Sequence, residues 1–155
     1  MRTKQKGFSL IELLIVVAII LIIAAIAIPN LLRAKIAANQ ASAVGSLRTL
    51  NTACIAFSTS YGSFPAALSN LGPVGSGGTA SSTSADLIDS VLSAGTKSGY
   101  TFAFGAGSSN QSYTITATPI TAATTGQNMY FTDQSGVIRV NTAGSGANAS
   151  STPIG

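Results

Sequence analysis

The apolar residues of this chain are massed near its start. Residues 13–28 are all apolar, and extending back to Phe8 the stretch is broken only by Ser9 and Glu12. As a helix, these 21 residues reach roughly 31 Å, enough to cross the hydrocarbon core of a bilayer. A helix apolar all round needs lipid or other copies of itself as surroundings. Past Leu31 the pattern changes. Ile36, Gln40, Ala43, Leu47, Leu50, Cys54, Phe57 and Tyr61 recur at alternating steps of four and three, a seam along one helix face. Arg33, Lys35, Asn39, Ser42, Ser46, Arg48, Asn51 and Ser58 fall off it. One helix over residues 8–61 is predicted, apolar over 8–29 and amphipathic over 30–61, roughly 80 Å long at the standard rise. Pro29 lies inside it and removes the hydrogen bond to the carbonyl of Ala25.

Gly62 and Pro65 end that helix, and residues 62–155 form a separate head. Residues 72–84 are a Gly/Ser/Thr-rich loop. Ser84 is placed to cap a short helix over 85–93, with Asp86 in its first turn, Leu87, Ile88, Val91 and Leu92 on its apolar face and Gly95 after its end. Strands are expected over 100–104, where Tyr100, Phe102 and Phe104 share a face, and over 112–118, closed by Pro119. Two more, 129–132 and 137–140, flank a turn over 133–136 with Gly136 at its positive-φ position. The tail, 141–155, has no periodicity and is expected to be flexible. The fold class is α+β: a long N-terminal helix whose seam, carried by Leu47, Leu50, Cys54, Phe57 and Tyr61, packs on a small antiparallel sheet.

Composition narrows the chemistry. Only 8% of the residues are charged, against about a quarter in typical soluble domains. There is no histidine and a single cysteine, so ordinary zinc and haem sites and imidazole-based nucleophile machinery are excluded. No enzymatic activity and no cofactor are expected. Cys54 cannot form an intrachain disulfide, and its place between Leu50 and Phe57 marks it as a packing residue. After Asp89 the only acidic residue is Asp133, too few carboxylates for a calcium loop. The head's strand region holds only Lys97 and Arg139 as cations, so direct binding of nucleic acid by the head is not expected. Three of the eight basic residues, Arg2, Lys4 and Lys6, precede the apolar run. They set topology: this end is cytoplasmic and the rest of the chain is exported.

A secretory signal with Ala25-Ile26-Ala27 as its cleavage site, or a plain membrane anchor, accounts for the basic start and the apolar run. Neither accounts for Glu12. A carboxylate inside such a run costs about 2.5–3.5 kcal/mol on the lenient insertion scales, and no basic residue follows it before Arg33. As a carboxylate near a helix N-terminus it also complements the helix dipole.

The basic leader, then GFSLIELLIVVAII over residues 7–20 and AAIAIP over 24–29, resemble the class III signal of type IV pilins and of the related type II secretion pseudopilins. The resemblance is close over the first third of the chain. It implies the pilin fold, a leader of residues 1–7, cleavage between Gly7 and Phe8 by a prepilin peptidase, and methylation of the new Phe8 amine. It further implies that Glu12 pairs with the Phe8 amine of a neighbouring subunit and fixes register, and that the helix bends or loosens at Pro29. Many members have glycine where this chain has Leu21, and leucine favours the helix by about 0.8 kcal/mol. The best-known subclass closes its C-terminal loop with two cysteines, which this chain lacks.

The function implied is that of a structural subunit, a major pilin, polymerising through its N-terminal helix for adhesion, twitching motility and DNA uptake. The partners implied are other copies of itself in a helical filament, the peptidase and methylase, assembly and retraction ATPases, an inner-membrane platform protein and a secretin. The subunit would cross the inner membrane once before assembly and then become part of an extracellular pilus. The alternative is a pseudopilin in a periplasmic pseudopilus.

Overall fold

The computed structural model describes residues 7–142 and 146–154. The leader cations Arg2, Lys4 and Lys6, and residues 143–145 and 155 of the tail, lie outside the described residues. The elements are α1 (Leu10–Tyr61), α2 (Ser90–Ser93), β1 (Thr96–Lys97), β2 (Tyr100–Ala106), β3 (Tyr113–Pro119), β4 (Met129–Asp133), β5 (Arg139–Asn141) and β6 (Thr152–Pro153). The chain divides into two compact units between Lys35 and Ile36.

In the first unit α1 runs without interruption past Leu21 and Pro29. Its best 18-residue window has a mean hydropathy of 3.3 with none of it buried, so by length and composition this helix can cross a membrane.

In the second unit the six strands form one antiparallel sheet in the order β1-β2-β3-β4-β5-β6. The β2–β3 pair is its longest, with Phe102 opposite Ala117 and Phe104 opposite Ile115. Period-two alternation sends Tyr100, Phe102, Tyr113, Ile115 and Ala117 to the buried face. There they meet Ala43, Leu47, Leu50, Cys54 and Phe57 of α1 in one apolar core, completed by Leu68, Leu71, Ile88 and Leu92.

Four sequence expectations are corrected. The helix expected over 85–93 is only Ser90–Ser93, and its cap is Asp89, whose carboxylate accepts from the Leu92 N–H at 2.9 Å, rather than Ser84. The N–H groups of Ala85, Asp86, Leu87 and Ile88 go to carbonyls of Asn70, Gly72 and Leu71. Asp86 takes a positive φ of 55°, a conformation incompatible with a continuing helix. The hydroxyl of Ser84 bonds to the Pro73 carbonyl.

The tail is the second. Over its described residues it is tied to the sheet: Val140 pairs with Thr152 and Arg139 with Pro153. The Ile154 N–H donates to the Ile138 carbonyl at 2.8 Å, and the Ile154 side chain packs against the core. Backbone pairing therefore holds the C-terminal segment in a head whose one cysteine is unpaired. The third is the strand expected at 137–140, which runs instead from Arg139 to Asn141: Val137 and Ile138 follow the turn closed by Gly136 N–H to the Asp133 carbonyl and belong to no strand.

The seam is the fourth. Tyr61 lies on it by spacing but is 37% exposed, whereas Ser46 and Asn51, expected off it, are buried. At about 100° per residue the buried face spans an arc of roughly 160°, wider than a heptad seam.

Candidate functional site

Two groups of residues carry the sequence-based expectations, one in each unit. At the amino end, Gly7, Phe8 and Ser9 precede the first helical residue and belong to no regular element. The Phe8 side chain is 81% exposed. The bond between Gly7 and Phe8 therefore lies in an exposed segment immediately before the helix.

Ser9 is where the helix begins to close, with the Leu13 N–H donating to the Ser9 carbonyl at 3.3 Å. The Ser9 N–H, with no intrahelical partner, donates to Oε2 of Glu12 at 2.9 Å. That is the carboxylate half of a capping box: the side chain three residues in reaches back to an orphan donor. Within the single chain Glu12 thus has a local role. The apolar run that follows is exposed on all sides, from Leu10 to Ile28. Pro29 lies within the helix and supplies no N–H to the carbonyl of Ala25.

In the second unit Leu47, Leu50 and Cys54 are fully buried and Phe57 nearly so. Burial pushes the Cys54 thiol up to about 12, so it remains protonated at neutral pH and is a poor nucleophile. Tyr61, beyond the buried section, rests its ring on Phe57 with centroids 4.6 Å apart.

Asn51 is the residue that sequence reasoning missed. Its Nδ2 donates to Thr132 Oγ1 at 2.9 Å and to the Gly136 carbonyl at 3.3 Å, and its Oδ1 accepts from the Tyr113 hydroxyl at 3.1 Å. One side chain so links α1 to β3, β4 and the following turn. Its spacing of four from Leu47 and three from Cys54 was the available signal, masked by its polarity. Nearer the start of the unit, Asn39 Nδ2 donates to the Thr125 carbonyl and Ser42 to Ser98, both at 2.9 Å.

Charges are sparse. Lys97 Nζ meets Asp89 Oδ2 at 2.7 Å, and this hydrogen bond, together with the cap to Leu92, holds the Asp89 carboxyl below its usual range. Burial pushes the Tyr100 hydroxyl up to about 12, and raises those of Tyr113 and Tyr130 as well. Among the described residues no group of three His, Cys, Asp or Glu side chains is placed to hold a metal.

Comparison with known proteins bears on the amino-terminal group. The family model described as the prokaryotic N-terminal methylation motif matches residues 2–28. The chain is 52% identical over 50 residues to the type IV major pilin protein PilA of Myxococcus xanthus, covering 32% of this chain and 23% of that protein. It is 65% identical over 37 residues to the type IV wide pilus major component PilA4 of Thermus thermophilus, covering 24% and 28% of the two chains. To a type IV major fimbrial protein FimA of Dichelobacter nodosus it is 52% identical over 59 residues, 36% of this chain and 37% of that one. The matched stretches span between 23% and 37% of these relatives' length. No solved structure matches the chain. Over its amino-terminal segment the chain carries the prokaryotic N-terminal methylation motif and is similar to type IV major pilins, and its elements make an α+β, pilin-like architecture.

Proposed function

We propose that this chain is a structural subunit, a major pilin, of a type IV pilus. The observation that carries the reading is the helix: an apolar run exposed on every side, preceded by an accessible Gly7–Phe8 bond and interrupted only by Ser9 and Glu12. Such a surface is stable in lipid or against other copies of itself. The names of the relatives, all major components of type IV pili or fimbriae, support the second as its final surroundings.

The chemistry follows in steps. Before processing, the helix crosses the inner membrane once, with Arg2, Lys4 and Lys6 in the cytoplasm. A prepilin peptidase cuts after Gly7, discarding those three cations, and the new Phe8 amine is methylated. The mature amine keeps its charge. In the filament, Glu12 meets the Phe8 amine of a neighbouring subunit. Because an unpaired buried charge costs on the order of 3–5 kcal/mol, only an axial stagger that pairs both charges is populated. Pro29, with one backbone bond missing, is the point at which the helix bends or loosens as subunits pack. In this scheme the chain is a substrate of the peptidase and methylase and catalyses nothing itself. Assembly and retraction ATPases, a platform protein and a secretin move it, and adhesion, twitching motility and DNA uptake are properties of the polymer.

The test is mass spectrometry of filaments sheared from the cell surface. The expected result is this chain as a principal component, beginning at methylated Phe8. Surface filaments that never contain it, together with loss of protein secretion when its gene is deleted, would instead identify a pseudopilin.

A further inference from the structure

We propose that the pocket at the carboxyl end of α1 binds a neutral saccharide ring. This cavity of about 240 Å³ is lined by Phe57, Tyr61, Phe64, Ser63, Asn70 and Asn110, among others, and no charged side chain lines it. The volume suits one sugar ring better than a drug-sized ligand. The proposal does not depend on whether the chain enters a pilus or a pseudopilus.

Its walls combine two kinds of chemistry. Phe57, Tyr61 and Phe64 provide aromatic carbon against which the C–H face of a pyranose can stack. Tyr61 sits on the same helical seam as fully buried residues, yet it stays partly exposed where it lines this cavity. The polar groups are amides and hydroxyls. Among the described residues, the Tyr61 hydroxyl, the Ser63 hydroxyl and the side-chain amide of Asn110 make no hydrogen bond. Each of these groups can both donate and accept, as sugar hydroxyls require of their partners. A charged ligand would find no counter-charge here.

The backbone adds an independent observation. Ser109 and Asn110 are consecutive non-glycine residues at positive φ, 53° and 54°, the central pair of the turn that joins β2 to β3, closed by the Gln111 N–H on the Ser108 carbonyl at 3.2 Å. It is held in place at both ends. The Asn110 carbonyl accepts from the Phe64 N–H at 2.9 Å, and the Asn110 N–H donates to the Gly107 carbonyl at 3.0 Å. The turn is thus tied to the segment that carries Phe64, and it puts the Asn110 amide on the pocket wall.

Saturation-transfer NMR on the full chain tests this. The chain is held in dodecylphosphocholine micelles, which carry no sugar headgroup, and the probes are glucose, methyl β-galactoside, N-acetylglucosamine and glucose 6-phosphate. Transfer to ring protons of at least one neutral sugar is expected, above that from micelles alone, and weaker transfer to glucose 6-phosphate. Tyr61→Ala should weaken binding by about tenfold or more, while Tyr61→Phe, which keeps the ring, should change it far less. Asn110→Gly separates binding from folding: glycine takes positive φ without steric cost, so this variant should melt close to the parent and still bind more weakly. The proposal is overturned by no transfer to any neutral sugar, by equal transfer to glucose 6-phosphate, or by transfer unchanged in both Tyr61→Ala and Asn110→Gly.

Discussion

Asn51 on α1 and Thr132 on β4 are joined by a buried hydrogen bond, Nδ2 to Oγ1 at 2.9 Å. The same amide takes the Tyr113 hydroxyl on its oxygen side, so both ends of one side chain are used inside an otherwise apolar interface. Truncation would strand the Tyr113 hydroxyl and leave Thr132 without its donor. Each unsatisfied buried group costs about 1–3 kcal/mol, so Asn51→Ala should destabilise the head by about 3 kcal/mol. Denaturant unfolding of the full chain in micelles, followed through the tyrosine signal, measures this. A loss below about 0.5 kcal/mol, the scale of an exposed surface substitution, would mean that the three bonds contribute nothing net.

Cys54 and the buried tyrosines give the head an alkaline limit. Burial raises Cys54 from 9.0 to about 12 and Tyr100 from 10.0 to about 12. Groups whose folded pKa is raised contribute stability that is complete below the unfolded value and lost as pH rises through the folded one. Stability should therefore be flat near neutrality and fall from about pH 9 upward, as the unfolded thiol begins to ionise. At pH 8 a thiol reagent should label Cys54 only at the rate of global opening. Fast labelling of the folded chain would contradict the burial of that side chain.

The long helix was legible because its two signals are strong and physically distinct: an apolar run too long for a soluble core, and a seam of period 3.5 behind it. The strands around Phe102 and Ile115 were legible from alternation, and the one around Tyr130 from the turn that follows it. What escaped was decided by tertiary hydrogen bonds. Asp89 caps α2 because the four residues before Asp89 are already bonded to the 70–72 segment. The tail has no periodicity because a two-residue strand and one half-buried Ile154 are enough to dock it. Asn51 was set aside for being polar, although its spacing put it beside the seam. At the amino end the order Gly7, Phe8, Glu12 was the most specific feature of all. The Ser9–Glu12 bond that accompanies it was foreshadowed only as a dipole effect.

Ile154 is the last apolar anchor of the C-terminal segment, with its N–H on the Ile138 carbonyl at 2.8 Å and its side chain half-buried against the core. Ile154→Ala should cost about 1–2 kcal/mol, less than a fully buried truncation. The effect should be local. Hydrogen exchange should quicken at Val140 and Ile154 while Phe102, Ile115 and Ala117 in the central strands keep their protection. Uniform loss of protection across the sheet would show that the segment is part of the cooperative core.

Glu12 can be a helix cap, a charge partner between subunits, or both, and one substitution separates them. Gln keeps a carbonyl oxygen that can accept from the Ser9 N–H, so Glu12→Gln preserves the observed cap geometry and removes only the charge. If the carboxylate matters solely as a cap, the variant should lose at most about 1 kcal/mol of helix stability and assemble normally. If it pairs with the Phe8 amine of a neighbour, its loss leaves that ammonium buried and unpaired, at about 3–5 kcal/mol per subunit. A penalty of that size, repeated at every subunit, should reduce filament yield severely. Cleavage after Gly7 should be unaffected, because the exposed segment around Phe8 is unchanged. Quantifying sheared filaments alongside the processed and unprocessed chain in membranes distinguishes the cases. We expect full processing with few filaments, and wild-type filament yield from Glu12→Gln would reduce Glu12 to a cap.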